Sequence, residues 1–207
     1  MKNVANQIES QLLAAGIGPI AGVDEAGRGA CAGPLVVAAV VLRNPPSPEL
    51  DVVRDSKELS ESEREKSFEL IYQFAESISI IEISEAEIDA RGVHAANLDG
   101  MRRAIQGLKI TPEYILTDGY AIEGLGIPSL GVWKGDQVVE AISAASIVAK
   151  VTRDRIMRTL DTEYPQYGFA SHKGYITAAH SKALVEHGPS KVHRRSFSNV
   201  GALLNKQ

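Results

Sequence analysis

The chain reads as a mixed α/β domain built around one central sheet, and three observations predict this. Leu35–Leu42 is an unbroken run of Leu, Val and Ala, the composition of a strand covered on both faces. Short apolar runs alternate with segments whose apolar residues recur every three or four positions, so strands and helices interleave. Acids stand at or just beyond the ends of the apolar runs, at Asp24, Asp118 and Asp136, and strand ends are where α/β domains place their sites.

In chain order, Ile8, Leu12 and Leu13 predict a helix from Asn3 to Ala15, stopped by Gly16. Strands are expected from Pro19 to Asp24 and from Leu35 to Leu42, followed by a loop that Pro45, Pro46 and Pro48 keep irregular. Ser60 and Glu63 form a capping box for a helix to about Glu76, with Phe68, Ile71, Tyr72 and Ala75 inward. A strand spans Ser77 to Ile83. Ser84 and Glu87 then open a short helix ending near Gly92. The next helix, Ala95 to Leu108, turns Leu98, Met101, Ile105 and Leu108 inward.

Tyr114–Thr117 is a buried strand that delivers Asp118, and Pro128–Trp133 a further strand before Lys134-Gly135-Asp136. For Asp136 two structural roles are open, the close of that strand or the cap of the long helix that follows. That helix, about Val138 to Leu160, directs Ile142, Ala145, Val148, Ala149, Thr152 and Ile156 inward; small residues from Ala141 to Ser146 would let it lie close to the sheet. Tyr164–Tyr175 reads as a loop, and Thr177 caps a helix to His187. Nothing resembles an internal repeat or a long linker. A single domain is expected over residues 1–207, with a helical substrate-binding part from about 170 to 207.

At a formal net charge of −4, the protein is not expected to coat nucleic acid electrostatically. The charge is uneven, however: between Lys150 and Arg195 Lys and Arg outnumber Asp and Glu, which suits one face for a polyanion. Cys31 is the only cysteine, so no internal disulfide can form and a cytoplasmic location is expected. Set among Ala and Gly, it reads as core filler. No apolar stretch is long enough for a membrane span, and the first ten residues carry no signal-peptide pattern.

The chemistry concentrates in Ala21-Gly22-Val23-Asp24-Glu25-Ala26-Gly27-Arg28-Gly29. Adjacent carboxylates after a buried strand are costly unless water, a cation or a metal compensates them. The glycines let another backbone approach, and Arg28 between them is a five-donor phosphate reader. The spacing is neither a P-loop nor a dinucleotide fingerprint. With Asp118 and Asp136 the set becomes four carboxylates without a Cys/His pattern, which favours Mg²⁺ or Mn²⁺. Two such ions about 3.5–4 Å apart can drive phosphodiester hydrolysis.

These pieces resemble bacterial ribonuclease HII. The resemblance rests on Gly22–Gly29 with Gly33-Pro34-Leu35, on Asp55-Ser56-Lys57, Thr117-Asp118-Gly119 and Lys134-Gly135-Asp136, and on Ala144–Arg155, His172-Lys173-Gly174-Tyr175 and His193-Arg194-Arg195-Ser196-Phe197, in this order along almost the whole chain. It implies a ribonuclease H-like fold, cleavage of the RNA strand in RNA–DNA hybrids, and incision 5′ of single ribonucleotides embedded in duplex DNA. It further implies that Asp24, Glu25, Asp118 and Asp136 are the catalytic and metal-binding acids, with two ions held when substrate is bound. Gly27-Arg28-Gly29 matches the family's motif for the RNA-to-DNA junction, and Tyr175 the tyrosine that stacks on the sugar beyond it. Lys57, Lys150, His172, Lys173, Arg194 and Arg195 are candidate phosphate contacts.

Arg28, where the related ribonuclease HIII carries Lys, points to type HII. Thr117 departs from the apolar residue common before that Asp. A monomer is expected by analogy with the family. Two rival readings are a catalytically inactive hybrid-binding module and a metal-dependent phosphomonoesterase. Four retained acids disfavour the first, and the Gly-Arg-Gly loop and basic C-terminal third disfavour the second.

Overall fold

The computed structural model describes residues 7–44, 49–50 and 59–204, and a five-stranded sheet lies at its centre. Strands β1 (Ile20–Ala26), β2 (Leu35–Leu42), β3 (Ala75–Ile83), β4 (Tyr114–Asp118) and β5 (Ser129–Val132) are arranged in the order β3-β2-β1-β4-β5. β1–β2 and β2–β3 pair antiparallel, whereas β1–β4 and β4–β5 pair parallel. The helices are α1 (Gln7–Ala14), α2 (Glu61–Phe74), α3 (Glu85–Arg91), α4 (Val93–Gln106), α5 (Gly135–Val138), α6 (Glu140–Glu163), α7 (Phe169–His172), α8 (Ala178–His187) and α9 (Ser198–Leu204). The mixed α/β architecture expected from the sequence is therefore present. The Pro45–Pro48 loop and Asp55-Ser56-Lys57 fall outside the described residues.

Burial on both faces explains the uniform composition of β2. Val36, Ala38, Val40 and Leu42 pack with α2 and α6, while Leu35, Val37 and Ala39 pack with α3 and α4. Leu12 and Leu13 of α1 cover the β4–β5 side with Ile20, Leu116, Val132 and Ile142. A fourth apolar cluster joins Cys31 and Met157 to Phe169, Leu184 and Val200 of the C-terminal helices. Cys31 is fully buried there.

Several local expectations are altered by tertiary contacts. The Ser60–Glu63 capping box is reciprocal, with Ser60 N–H donating to Glu63 Oε2 at 2.8 Å. The Ser84 box is one-sided: Ser84 Oγ accepts from Glu87 N–H at 3.2 Å, but the Glu87 carboxylate turns to Arg103 at 2.9 Å. Asp136 does not cap the long helix. It lies inside α5, and the first N–H groups of α6 donate instead to Glu9 Oε2 of α1, at 3.0 Å from Glu140 and 3.3 Å from Ala141.

The inward face of α4 is Ala96, Asn97, Gly100, Met101, Ala104 and Ile105, with Leu98 only half-buried. On α6 the inward face continues through Arg153 and Met157 rather than Thr152 and Ile156, which are half-buried. The expected Tyr164–Tyr175 loop contains α7, and α9 lies in the helical part expected from about 170, though the sequence marks no individual helix at its position.

Gly22 sets the approach of α6 to the sheet. A Cβ at this position would overlap the carbonyl carbon and oxygen of Ala141. Backbone meets backbone there, so neither side can yield by rotating a side chain. Gly22→Ala should destabilise the fold by about 1–3 kcal/mol, the usual cost of overpacking, read as a lower urea midpoint with unchanged slope.

Candidate active site

Parallel pairing of β1 with β4 brings the first two acids together. Val23 lies opposite Thr117, and the next residue on each strand is Asp24 and Asp118. β1 continues to Ala26, so Asp24 and Glu25 sit within the strand and point to opposite faces. Val23 belongs to the α4 side of the core, which turns Asp24 toward α6, where Ser146 hydrogen-bonds it. Glu25 faces Asn97 of α4. Asp118 Oδ1 accepts from Gly135 N–H at 2.7 Å, tying the end of β4 to the turn that carries Asp136, which is 3% exposed.

The cluster resists its own charge. Asp24 is 5% exposed, and burial first, then the Glu25 and Asp118 carboxylates, push its pKa well above the usual aspartate value. Glu25 is also raised, mainly by burial, although Arg28 and Asn97 pull it back. No hydrogen bond of ordinary geometry joins Asn97 to Glu25: both polar atoms of the Asn97 carboxamide and Glu25 Oε2 are buried without a partner. Such atoms in a native site call for an ion or water.

Among the described residues, no three His, Cys, Asp or Glu side chains already converge at metal-ligating distance. The donor set nonetheless fits a hard divalent cation. All the donors are oxygens, their mutual repulsion would be relieved by positive charge, and Glu25 Oε2 is left over for it.

Beside the acids stands the Gly27-Arg28-Gly29 turn. Gly27 adopts φ 90°, and a Cβ there would overlap the guanidinium of Arg153. Arg28 lies 5.0 Å over the Tyr120 ring, donates to its hydroxyl at 3.3 Å, and approaches Glu25 to 3.9 Å. The buried Thr117 hydroxyl donates to the Tyr120 carbonyl. The threonine that departs from the family pattern thus shapes the turn holding Arg28's partner. Gly29 is exposed, and the Tyr175 ring stands 3.9 Å from where a Cβ would be. Tyr175, 39% exposed, is therefore brought to the turn from the far end of the chain.

The basic residues divide. Arg194, expected to face phosphate, is fully buried and donates to the carbonyls of Gly33 at 3.0 Å and Arg28 at 3.2 Å. It braces the turn from within, so the expectation of a phosphate contact is corrected. Both ring nitrogens of half-buried His172 are likewise engaged within the chain, by the Tyr167 carbonyl at 2.8 Å and Gly174 N–H at 3.2 Å. Half-buried Lys173 bonds the Ala170 carbonyl through its ammonium. Lys150 pairs with Asp154 at 2.7 Å, Arg195 is exposed, and Lys57 lies outside the described residues.

A cleft of about 260 Å³ is lined by Glu25, Arg64, Ser146, Lys150 and Tyr175, among others. Sequence reasoning missed Asn97, Ser146, Arg64, Tyr120 and Arg153. Two of these left a signal. Asn97 is polar on an apolar helix face, and Arg153 follows Ala149 and precedes Met157 by four residues each, which places it on the buried face.

The ribonuclease HII family model matches residues 21–200. The chain belongs to the ribonuclease HII family. A ribonuclease HII of Mycolicibacterium gilvum is 54% identical over 197 residues, covering 95% of this chain and 78% of that one. The crystal structure of ribonuclease H2 from Pyrococcus horikoshii superposes with a TM-score of 0.78 at 28% identity, over 90% of this chain and 97% of that one. The Bst ribonuclease HIII solved with Mn²⁺ shares the fold at TM-score 0.67 and 17% identity, over all of this chain and 76% of its own. The ribonuclease H-like fold is thereby established.

Two predictions concern charge. In chelator at neutral pH, Asp118→Asn should raise the melting temperature by a few degrees, because it removes one of three repelling carboxylates; an unchanged or lower value would show that their repulsion is already relieved. The second concerns His193, whose pKa burial and the neighbouring His180 push down to about 4. Unfolded imidazole takes up a proton near 6.5, so stability present at neutral pH should be lost as pH falls from about 6.5 toward 4. Urea unfolding should show this slope in the wild type and a shallower one in His193→Phe.

Proposed function

We propose that the family's endonuclease activity on RNA–DNA hybrids is carried in this chain by Asp24, Glu25, Asp118 and Asp136, and that it extends to incision 5′ of single ribonucleotides in duplex DNA. One observation carries the reading: mutually repelling, dehydrated carboxylates lie beside the Gly27-Arg28-Gly29 turn, with the Tyr175 ring against Gly29. A pure binding module gains nothing from negative charge held against phosphate.

The four acids would hold Mg²⁺ or Mn²⁺. Bound there, such ions neutralise the carboxylates, acidify water and stabilise a leaving oxyanion. Arg28 grips the phosphate on the RNA side of the junction, held in reach by Tyr120 and Glu25. Gly29, lacking a side chain, lets the backbone come close enough to read a 2′-hydroxyl, the group that separates RNA from DNA. Tyr175 offers its ring to the deoxyribose beyond the junction, where an additional hydroxyl would be crowded. Ser146 and Gly135 N–H hold Asp24 and Asp118 in place. Water attacks phosphorus and the 3′-oxygen leaves, so the products carry 3′-hydroxyl and 5′-phosphate ends. Lys150 and Arg195 add phosphate contacts without sequence preference. We read the protein as a cytoplasmic monomer; no helix among the described residues is long and apolar enough to cross a membrane.

The test uses a labelled duplex with one ribonucleotide, in Mn²⁺, Mg²⁺ or chelator, beside an all-DNA control. Metal-dependent cleavage 5′ of the ribonucleotide is expected, and Asp24→Asn should lower it by at least about a hundredfold while hybrid binding survives. Arg28→Ala should reduce the preference for the junction more than duplex affinity. A 2′,3′-cyclic phosphate product would overturn the mechanism. Binding without cleavage under every metal would favour the inactive module.

A further inference from the structure

The segment that presents Tyr175 is built on a chain of histidines outside the acidic site. Lys173 and Gly174 are consecutive left-handed residues, at φ 50° and 78°, and swing the chain outward just before Tyr175. Arg153 NH1 donates to the Lys173 carbonyl at 2.9 Å, and its guanidinium lies 5.5 Å from the Tyr175 ring. Beneath, His180 Nδ1 contacts the Tyr175 carbonyl at 3.0 Å, His180 Nε2 meets His193 Nε2 at 3.1 Å, and His193 Nδ1 faces Ser190 N–H at 3.0 Å.

The partners at the two ends fix every proton in this chain. A carbonyl only accepts, so His180 Nδ1 carries hydrogen, and in the neutral ring its Nε2 is bare. The Ser190 backbone N–H only donates, so His193 Nδ1 is bare and accepts from the Ser190 hydroxyl at 2.8 Å as well, and its Nε2 carries hydrogen. That hydrogen points at the bare nitrogen of His180. An extra proton on either ring would set donor against donor. His180 and His193 are buried, and Phe169 and Tyr167 pack around them; His172 stacks on His180 with centroids 4.3 Å apart. Cys31 Sγ, 3.7 Å from His180 Nδ1, closes the remaining side.

We propose that His180 and His193 are positioning residues for substrate selection, a neutral relay from Ser190 that pins the Tyr175 main chain while Arg153 supports its ring, so that the ring stands at the height of Gly29. This rests on the reading of Tyr175 as the junction-facing ring. The side-chain contacts of the relay reach the substrate through Tyr175; His193 also bridges Ala32 through its main chain, which a side-chain substitution leaves in place. Loss of the relay should therefore weaken discrimination between an embedded ribonucleotide and a continuous hybrid more than it weakens cleavage itself.

Long-range ¹H–¹⁵N NMR at neutral pH should find His180 protonated on Nδ1 and His193 on Nε2; any other tautomer pair would overturn the relay. In activity, the ratio of kcat/KM on a single-ribonucleotide duplex to kcat/KM on a long hybrid should fall about tenfold in His193→Phe, the equivalent of one buried hydrogen bond. His193→Gln, which keeps a donor near the place of Nε2, should recover most of the ratio. Equal losses on both substrates, or no recovery in a His193→Gln protein that melts like the wild type, would leave the histidines a structural role and overturn the proposal. Tyr175→Ala separates the two readings. An unchanged ratio there removes the role of the ring; a changed ratio there with an unchanged one in His193→Phe removes only the relay.

Discussion

Arg153 is the interaction on which the substrate-facing side of this protein depends. Its guanidinium is buried on α6 and donates to the carbonyls of Pro34 at 2.9 Å, Ala32 at 3.1 Å and Lys173 at 2.9 Å. Burial pulls its pKa down, opposed by Tyr175, Asp154 and Glu85. A cation is expensive to desolvate, and several well-placed hydrogen bonds offset that cost. The consequence is geometric: the turn after β1 and the segment before Tyr175 are fastened to one rigid side chain. Gly27 and Gly33 are glycines because side chains there would enter the space of Arg153 and Met157.

Arg194 repeats the device from the C-terminal side, joining Gly33 and Arg28. Burial, and after it the like charge of Arg153, pushes its pKa down to about 10. The basic character of this third of the chain is thus partly internal. Guanidinium groups that look from the sequence like a polyanion surface instead replace regular secondary structure as the scaffold of a loop, satisfying carbonyls that have no ladder partner.

The acidic side follows the opposite logic. Asp24, Glu25 and Asp118 are held where each disfavours the ionisation of another, on strands whose positions the core dictates. A fold does not gain stability from such an arrangement. The packing of α6 on β1, possible because Gly22 has no side chain, supplies the rigidity that keeps the acids together. Sites held against local preference in this way are the usual mark of function.

By itself the sequence determined the five strands and the longer helices, the both-sides burial of β2, and the acids after apolar runs, because periodicity and composition are local properties; the short helices α5 and α7 escaped it. It also carried the family resemblance, and with it the expectation of metal-dependent cleavage of RNA–DNA hybrids. Only the tertiary structure decided what lay across long separations: that Asp118 is the parallel neighbour of Asp24, that Tyr175 meets Gly29, and that Glu9 rather than Asp136 caps α6. It also decided which basic residues face outward. Arg194 and Arg195 are adjacent in sequence and alike in charge, yet one is fully buried and the other exposed. Charge along a chain does not reveal burial, because burial depends on carbonyls contributed by strand turns more than a hundred residues away.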